Sequence, residues 1–175
     1  GSAYYDLGDK IRAIADFDRD IELNPKDASA YSLRGLVYAA LGDNKRAIAD
    51  YDRAIELDPK YVAAYSRRGV AYFELGDMIR AIVDYDRAIE LDPKDAGAYY
   101  NRGFAYYKLG NNKRAIADYD SAIELDPKDT AVYISRGKAY AQLGDAMRGI
   151  SDIKIAARLG SKEAQDWLRK QGIEW

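Results

Sequence analysis

Apolar and small residues recur along this chain at helical spacing, and the pattern stops and restarts on a fixed beat. In the stretch from Val62 to Asp95, Tyr65, Tyr72 and Leu75 mark one amphipathic helix, and Ala81, Ile82, Tyr85, Ala88 and Ile89 mark a second after Gly76. Gly76 stands where a helix closes in a left-handed residue, and Asp77 can accept hydrogen bonds from the free amides of the helix that follows. The second helix ends at Leu91-Asp92-Pro93, because proline bars helical geometry in the residue before it and cannot donate to the ladder. Asp95 is placed to cap the next first helix. The pattern predicts helix, turn, helix and stop, with no competing strand signal.

This unit repeats. Pro25, Pro59, Pro93 and Pro127 are 34 residues apart and are the only prolines. Gly8, Gly42, Gly76, Gly110 and Gly144 keep the same period, as do Gly35, Gly69, Gly103 and Gly137. A period of this length predicts stacked hairpins, each burying an apolar face on its neighbours. The glycines inside the first helices cost about 1 kcal/mol each relative to alanine, so close helix packing is expected there.

The unit resembles the tetratricopeptide repeat, with its aromatic, small residue, Tyr, Ala, aromatic, Ala and Pro. Tyr31, Gly35, Tyr38, Ala47, Tyr51, Ala54 and Pro59 carry the match in one unit. Tyr65, Gly69, Tyr72, Ala81, Tyr85, Ala88 and Pro93 carry it in the next, and Tyr99, Gly103, Tyr106, Ala115, Tyr119, Ala122 and Pro127 in the third. A fourth keeps Tyr133, Gly137 and Tyr140 but drifts at Gly149, Ile153 and Ser161. The resemblance implies an all-α, right-handed α-solenoid of antiparallel helix-turn-helix repeats. The expected organisation is a single array: a truncated repeat over 3–27, complete repeats over 28–61, 62–95, 96–129 and 130–161, and a capping helix over 162–171 with Ala164, Trp167 and Leu168 on one face. At the N-terminus, Tyr4, Leu7 and Gly8 match the last turns of a first helix, with a second helix from Asp9 to about Leu23. Gly1 and Ser2 read as the remnant of a removed tag. The array is expected to be a piece of a longer one, of bacterial origin by the likeness of its second helices to bacterial members.

Composition narrows the chemistry. The chain of 175 residues has neither cysteine nor histidine, which removes thiolate nucleophiles, imidazole bases, disulfides and the usual zinc ligands. No enzyme, metal or cofactor is expected. With 27 basic and 29 acidic side chains there is no field to attract nucleic acid or anionic lipid, and no apolar run has the ~18 residues a membrane span needs. Carboxylates in the Asp-Tyr-Asp-Arg phrase are copied from helix to helix, which fits a salt-bridged face better than a catalytic pair. Arg34, Arg68, Arg102 and Arg136 recur with Asp16, Asp50, Asp84, Asp118 and Asp152, so each acid is expected to hold an arginine, with an anion-binding ladder as the alternative. Of the 16 tyrosines, those at Tyr4, Tyr31, Tyr38, Tyr51 and their period-34 equivalents are expected in the core.

Function is expected on residues that escape the core pattern. The resemblance implies that first helices line a concave groove that holds a peptide or partner helix. Its candidates here are Leu36; Arg67, Val70 and Phe73; Tyr100, Asn101, Phe104, Tyr107 and Lys108; and Lys138. These differ from unit to unit, and they combine apolar anchors with polar handles as binding hot spots do. The family's clamp for chaperone tails is missing: Asn101 matches its middle Asn, but Ser66, Val70, Ala131 and Ser135 stand where Lys, Asn, Lys and Arg are required. A second expectation is self-assembly or domain exchange through Ile11, Ile14 and Phe17. RNA binding is disfavoured by the acidic balance.

Overall fold

The computed structural model describes residues 2–175, with side chains described from residue 8 onward. The described residues form α-helices and turns, without strands. They fall into two compact units, Gly1–Asp92 and Pro93–Trp175.

In the first unit the helices are α1 (Ser2–Leu23), α2 (Ala28–Ala40), α3 (Asn44–Leu57), α4 (Val62–Glu74) and α5 (Met78–Leu91), and consecutive helices pack on one another. The α4/α5 turn shows how sequence makes the hairpin. Gly76 takes φ 82°, the Asp77 amide donates back to the Tyr72 carbonyl at 2.9 Å, and the Asp77 carboxylate accepts the Arg80 amide at 3.0 Å. Asp27 caps α2 in the same way, whereas Tyr61 at the start of α4 offers no side-chain acceptor.

The expected close approach inside the hairpins is present. A Cβ at Gly35 would lie 2.8 Å from the Tyr51 ring, and one at Gly69 would lie 2.7 Å from the Tyr85 ring. The glycine of each first helix therefore seats the tyrosine of the second, and that tyrosine is buried together with the flanking Ala47 and Ala54 or Ala81 and Ala88. Burying a large ring and two methyl groups per hairpin is the main source of its cohesion.

One expectation fails at the N-terminus. Instead of ending near Gly8 and turning, α1 runs without a break from Ser2 to Leu23, and Gly8 is not among the left-handed glycines. A turn at glycine gives up helical hydrogen bonds and is held elsewhere by two packed helices. The few residues before Gly8 offer too short a helix to hold it, so the ladder continues. The core positions expected at Tyr4 and Leu7 lie outside the described side chains.

In the second unit the helices are α6 (Ala96–Lys108), α7 (Asn112–Leu125), α8 (Thr130–Gln142), α9 (Ala146–Arg158) and α10 (Lys162–Lys170). Gly103 seats Tyr119, a Cβ there lying 2.9 Å from the ring. The α8/α9 hairpin is built differently: Gly137 faces the Gly149 carbonyl, which its Cβ would meet at 2.9 Å, with Ile153 beside it. Ser161 caps α10 through the Ala164 amide, and Ala164 and Leu168 are buried against Tyr133, Ile134, Ala156 and Ala157. Trp167, expected on that same buried face, is 42% exposed and stands at its edge.

The tyrosines divide. Tyr51, Tyr85 and Tyr119 on second helices are buried, as are Tyr65 and Tyr133, whereas Tyr38, Tyr72, Tyr106 and Tyr140 are only half-buried. Each of these last rings lies under a guanidinium: Arg46, Arg80 and Arg148 stand 4.4, 4.3 and 4.6 Å from the ring centre, and Arg114 stands at 5.5 Å. The three nearer arginines are held by the capping aspartates Asp43, Asp77 and Asp145, whereas Asn111 replaces the aspartate beside Arg114.

Candidate functional site

The arginine ladder is structural. Arg34 bonds Asp50 through Nε and Nη2 at 2.9 and 2.6 Å and Asp18 through Nη1 at 2.6 Å. Arg68 repeats this with Asp84 and Asp52, and Arg136 with Asp152 and Asp120. The expected acids Asp50, Asp84, Asp118 and Asp152 are the bidentate partners, while Asp16 is exposed. The second acids, Asp18, Asp52 and Asp120, share the 34-residue period, but the sequence reading placed such carboxylates only on a salt-bridged face and did not pair them with these arginines. Carboxylate hydrogen bonds hold Arg34, Arg68 and Arg136 well above the ordinary guanidinium range. Burial outweighs Arg68 at Asp84 and raises its carboxyl. With two carboxylates on each of these three guanidinium groups, little remains for an external anion.

On the first unit, Leu36 and Val70 are 43% and 41% exposed, and Phe73 is half-buried. Arg67 is not a free handle. Its Nη1 donates to the buried Ser32 hydroxyl at 2.8 Å, tying α4 to α2. Burial pushes the Tyr51 hydroxyl up to about 12, and the nearby Arg67 charge opposes that rise.

On the second unit the aromatic candidates of α6 form a row. The Tyr100 and Phe104 rings stack with centres 6.2 Å apart and planes 7° apart, and Phe104 and Tyr107 follow at 6.4 Å and 13°. Lys108 Nζ sits 5.1 Å from the Phe104 ring centre. Tyr100 also leans on the buried Tyr119 ring at 5.9 Å, and its hydroxyl lies 3.5 Å from that of Ser135 on α8. The row is thus anchored on Tyr119 and Ser135: Tyr100, Asn101, Phe104 and Tyr107 are all half-buried, and Lys108 is exposed. Lys138, the candidate on α8, pairs with Glu163 at 3.6 Å.

A cavity of about 280 Å³, which the sequence reading missed, opens between α8, α9 and α10. Ile134, Gly137, Gly149, Ile153 and Trp167 line it, with Lys138 and Glu163 among its walls. The available signal was the drift of the fourth unit from the repeat pattern at Gly149 and Ile153. On α1, Ile11 is 58% exposed, and Ile14 and Phe17 are half-buried. No helix among the described residues is long and apolar enough to cross a membrane.

Comparison with known proteins follows the same lines. The family model described as TPR repeat matches residues 1–42, 36–76 and 71–110, and the one described as Tetratricopeptide repeat matches 96–129. No curated protein matches. Among solved structures, a MamA is 28% identical with a TM-score of 0.83, covering 92% of this chain and 94% of that one. MamA from Desulfovibrio magneticus RS-1 is 22% identical with a TM-score of 0.81, covering 90% of this chain and 89% of its own. YrrB, described as a TPR protein with an unusual peptide-binding site, is 20% identical with a TM-score of 0.78, covering 97% and 88%. The last two likenesses are likenesses of fold.

Proposed function

We propose that this chain, which belongs to the tetratricopeptide repeat family, is a protein-interaction scaffold that holds a peptide or partner helix on the outward faces of its first helices. The observation that carries this reading is the α6 row. Tyr100, Phe104 and Tyr107 occupy positions that the repeat's core does not require, since Ser66, Val70 and Phe73 stand in the same register on α4. Three stacked, half-buried rings beside Lys108 form an apolar anchor with a cationic rim, the combination on which interface energy concentrates. The rings are held in place before binding, which lowers the entropy lost when a partner docks. On the first unit, Leu36, Val70 and Phe73 offer apolar contacts of their own, and on the second unit Asn101 and Lys138 add polar ones. Arg67, engaged with Ser32, acts mainly by fixing the frame.

Affinity capture from a lysate of the source organism tests this, comparing the wild type with a Phe104→Ala, Tyr107→Ala variant whose helical circular dichroism is unchanged. Partners retained at least tenfold less by the variant are the expected result. Equal retention would move the site off α6.

A second reading, self-assembly, rests on α1. Phe17 is half-buried where Tyr51, Tyr85 and Tyr119 in the same register are buried, and Ile11 is exposed on the same helix. A second copy could cover this face. Light scattering at high protein concentration should give more than the monomer mass, and monomer mass throughout would sink the idea.

A further inference from the structure

The cavity at the end of the second unit has a definite origin in the sequence. In the α6/α7 hairpin the corresponding positions carry rings: Tyr100, Tyr107 and the buried Tyr119. In the α8/α9 hairpin they carry Ile134, Ala141 and Ile153, and Gly149 replaces the buried Ala115. Three rings have been withdrawn from a frame that otherwise keeps its glycine, its half-buried Tyr140 and its arginine with two aspartates. What remains is a space of about 280 Å³ with aliphatic walls, a glycine floor and the Trp167 indole along one side. A cavity of about 150 Å³ suffices for a benzene-sized guest, so a single phenol or indole ring fits here.

We propose that this cavity is a specificity pocket that receives one aromatic side chain of a partner polypeptide, at the positions that Tyr100, Tyr107 and Tyr119 occupy in the preceding hairpin. The proposal rests on the scaffold reading only for the polypeptide source of the ring. An aromatic guest is favoured over an aliphatic one because the frame is spaced for rings and because the partly exposed indole of Trp167 offers a face or edge to a second ring. Lys138 and Glu163, paired and both largely exposed, frame the entrance and give the partner's flanking residues a charge of either sign to meet.

The test uses the full chain in a Trp175→Phe background, so that Trp167 is the sole indole, titrated with p-cresol as the tyrosine side-chain probe and with 4-methylcyclohexanol as its saturated control. Trp167 fluorescence and the methyl resonances of Ile134, Ile150 and Ile153 should shift saturably with p-cresol, with a Kd on the order of 1 mM for so small a guest. Ile153→Tyr and Ala141→Tyr, which restore the rings one at a time, should each weaken binding tenfold or more. Ala141 is exposed, so its variant keeps the test valid if Ile153→Tyr disturbs folding. No saturation, or equal saturation in every folded filled variant, overturns the pocket, and equal affinity for the saturated control overturns its aromatic preference. The source is tested by panning a random peptide library on the wild type and counter-selecting on Ala141→Tyr. Selected peptides should share an aromatic residue at one position, and no such enrichment overturns the polypeptide partner. A Phe104→Ala, Tyr107→Ala variant separates the two readings, because it should lose captured partners while still binding p-cresol.

Discussion

The α6/α7 and α8/α9 hairpins are cut from one pattern and solve the same packing problem in opposite ways. In the first, Gly103 leaves room that the Tyr119 ring fills, and Tyr100, Phe104 and Tyr107 continue the aromatic material out to the surface. In the second, Gly137 meets the backbone of Gly149, Ile153 supplies less volume, and an apolar cavity remains. Both keep the Arg–Asp arrangement and the Gly-Asp or Gly-Asn turn. The hairpin frame is therefore set by ion pairs, caps and small residues, while the rings are variable cargo that can project outward or be withdrawn.

The largest test of this contrast is truncation of the seated side chain. Tyr119→Ala should cost about 3–5 kcal/mol, because a fully buried ring leaves a cavity that its neighbours cannot close. Ile153→Ala, at a half-buried site already beside a cavity, should cost about 1–2 kcal/mol by the same transfer argument. Urea denaturation followed by circular dichroism measures the first, and fluorescence of Trp167 and Trp175 follows the second. Equal losses would show that the two hairpins are packed alike. The shared frame gives the complementary expectation. Asp152→Ala should cost about 2 kcal/mol, less than breaking a fully buried pair, because Arg136 keeps Asp120 and is partly exposed.

Alkaline pH separates the hairpins again. Tyr51 ionises near 12 because of burial, above the ordinary value of 10, and burial raises Tyr85 and Tyr119 as well. A group whose folded value is raised contributes stability that is intact below the unfolded value of 10 and lost as pH rises through the folded value. Stability should fall above pH 10, with a slope approaching about 1.4 kcal/mol per pH unit for each ring. Tyr119→Phe should remove one ring's share of that slope, whereas Ile153→Phe should leave it unchanged. Midpoints of urea denaturation at pH 9, 10 and 11 would show it.

The sequence made the frame legible because each part of it depends on neighbours close in the chain. Gly76 and Asp77 lie side by side, and Arg34 meets Asp50 at a fixed offset that every hairpin copies. The second carboxylate on Arg34, Arg68 and Arg136 was harder to see, since it lies on the helix before the arginine's own hairpin and only the repeat period links the two. The continuous α1 was missed for a physical reason: a local glycine signal makes a turn only when two packed helices hold it. The α6 row was readable as residues outside the core pattern, but its stacking and its contact with Tyr119 depend on rotamers. The cavity was hardest, because it consists of absent atoms, and small residues at Ala141 and Gly149 look in sequence like ordinary helix filler.

The smallest expected effect tests whether the α6/α7 hairpin differs from its neighbours in its turn as well as in its rings. Asn111 stands where Asp43, Asp77 and Asp145 hold both the cap amide and the arginine Nε, and its own bond to the Arg114 amide is long at 3.5 Å. An amide carries no charge to draw Arg114 inward, so the guanidinium lies 5.5 Å from the Tyr106 ring rather than about 4.5 Å as in the other three. Asn111→Asp should restore the exposed pair and favour the helix N-terminus, adding about 0.3–0.5 kcal/mol that fades in high salt. Thermal melts in low and high salt measure it. A gain that survives salt would mean that the cap hydrogen bond, rather than the charge, had been limiting, and the spacing of Arg114 from its ring would then have another cause.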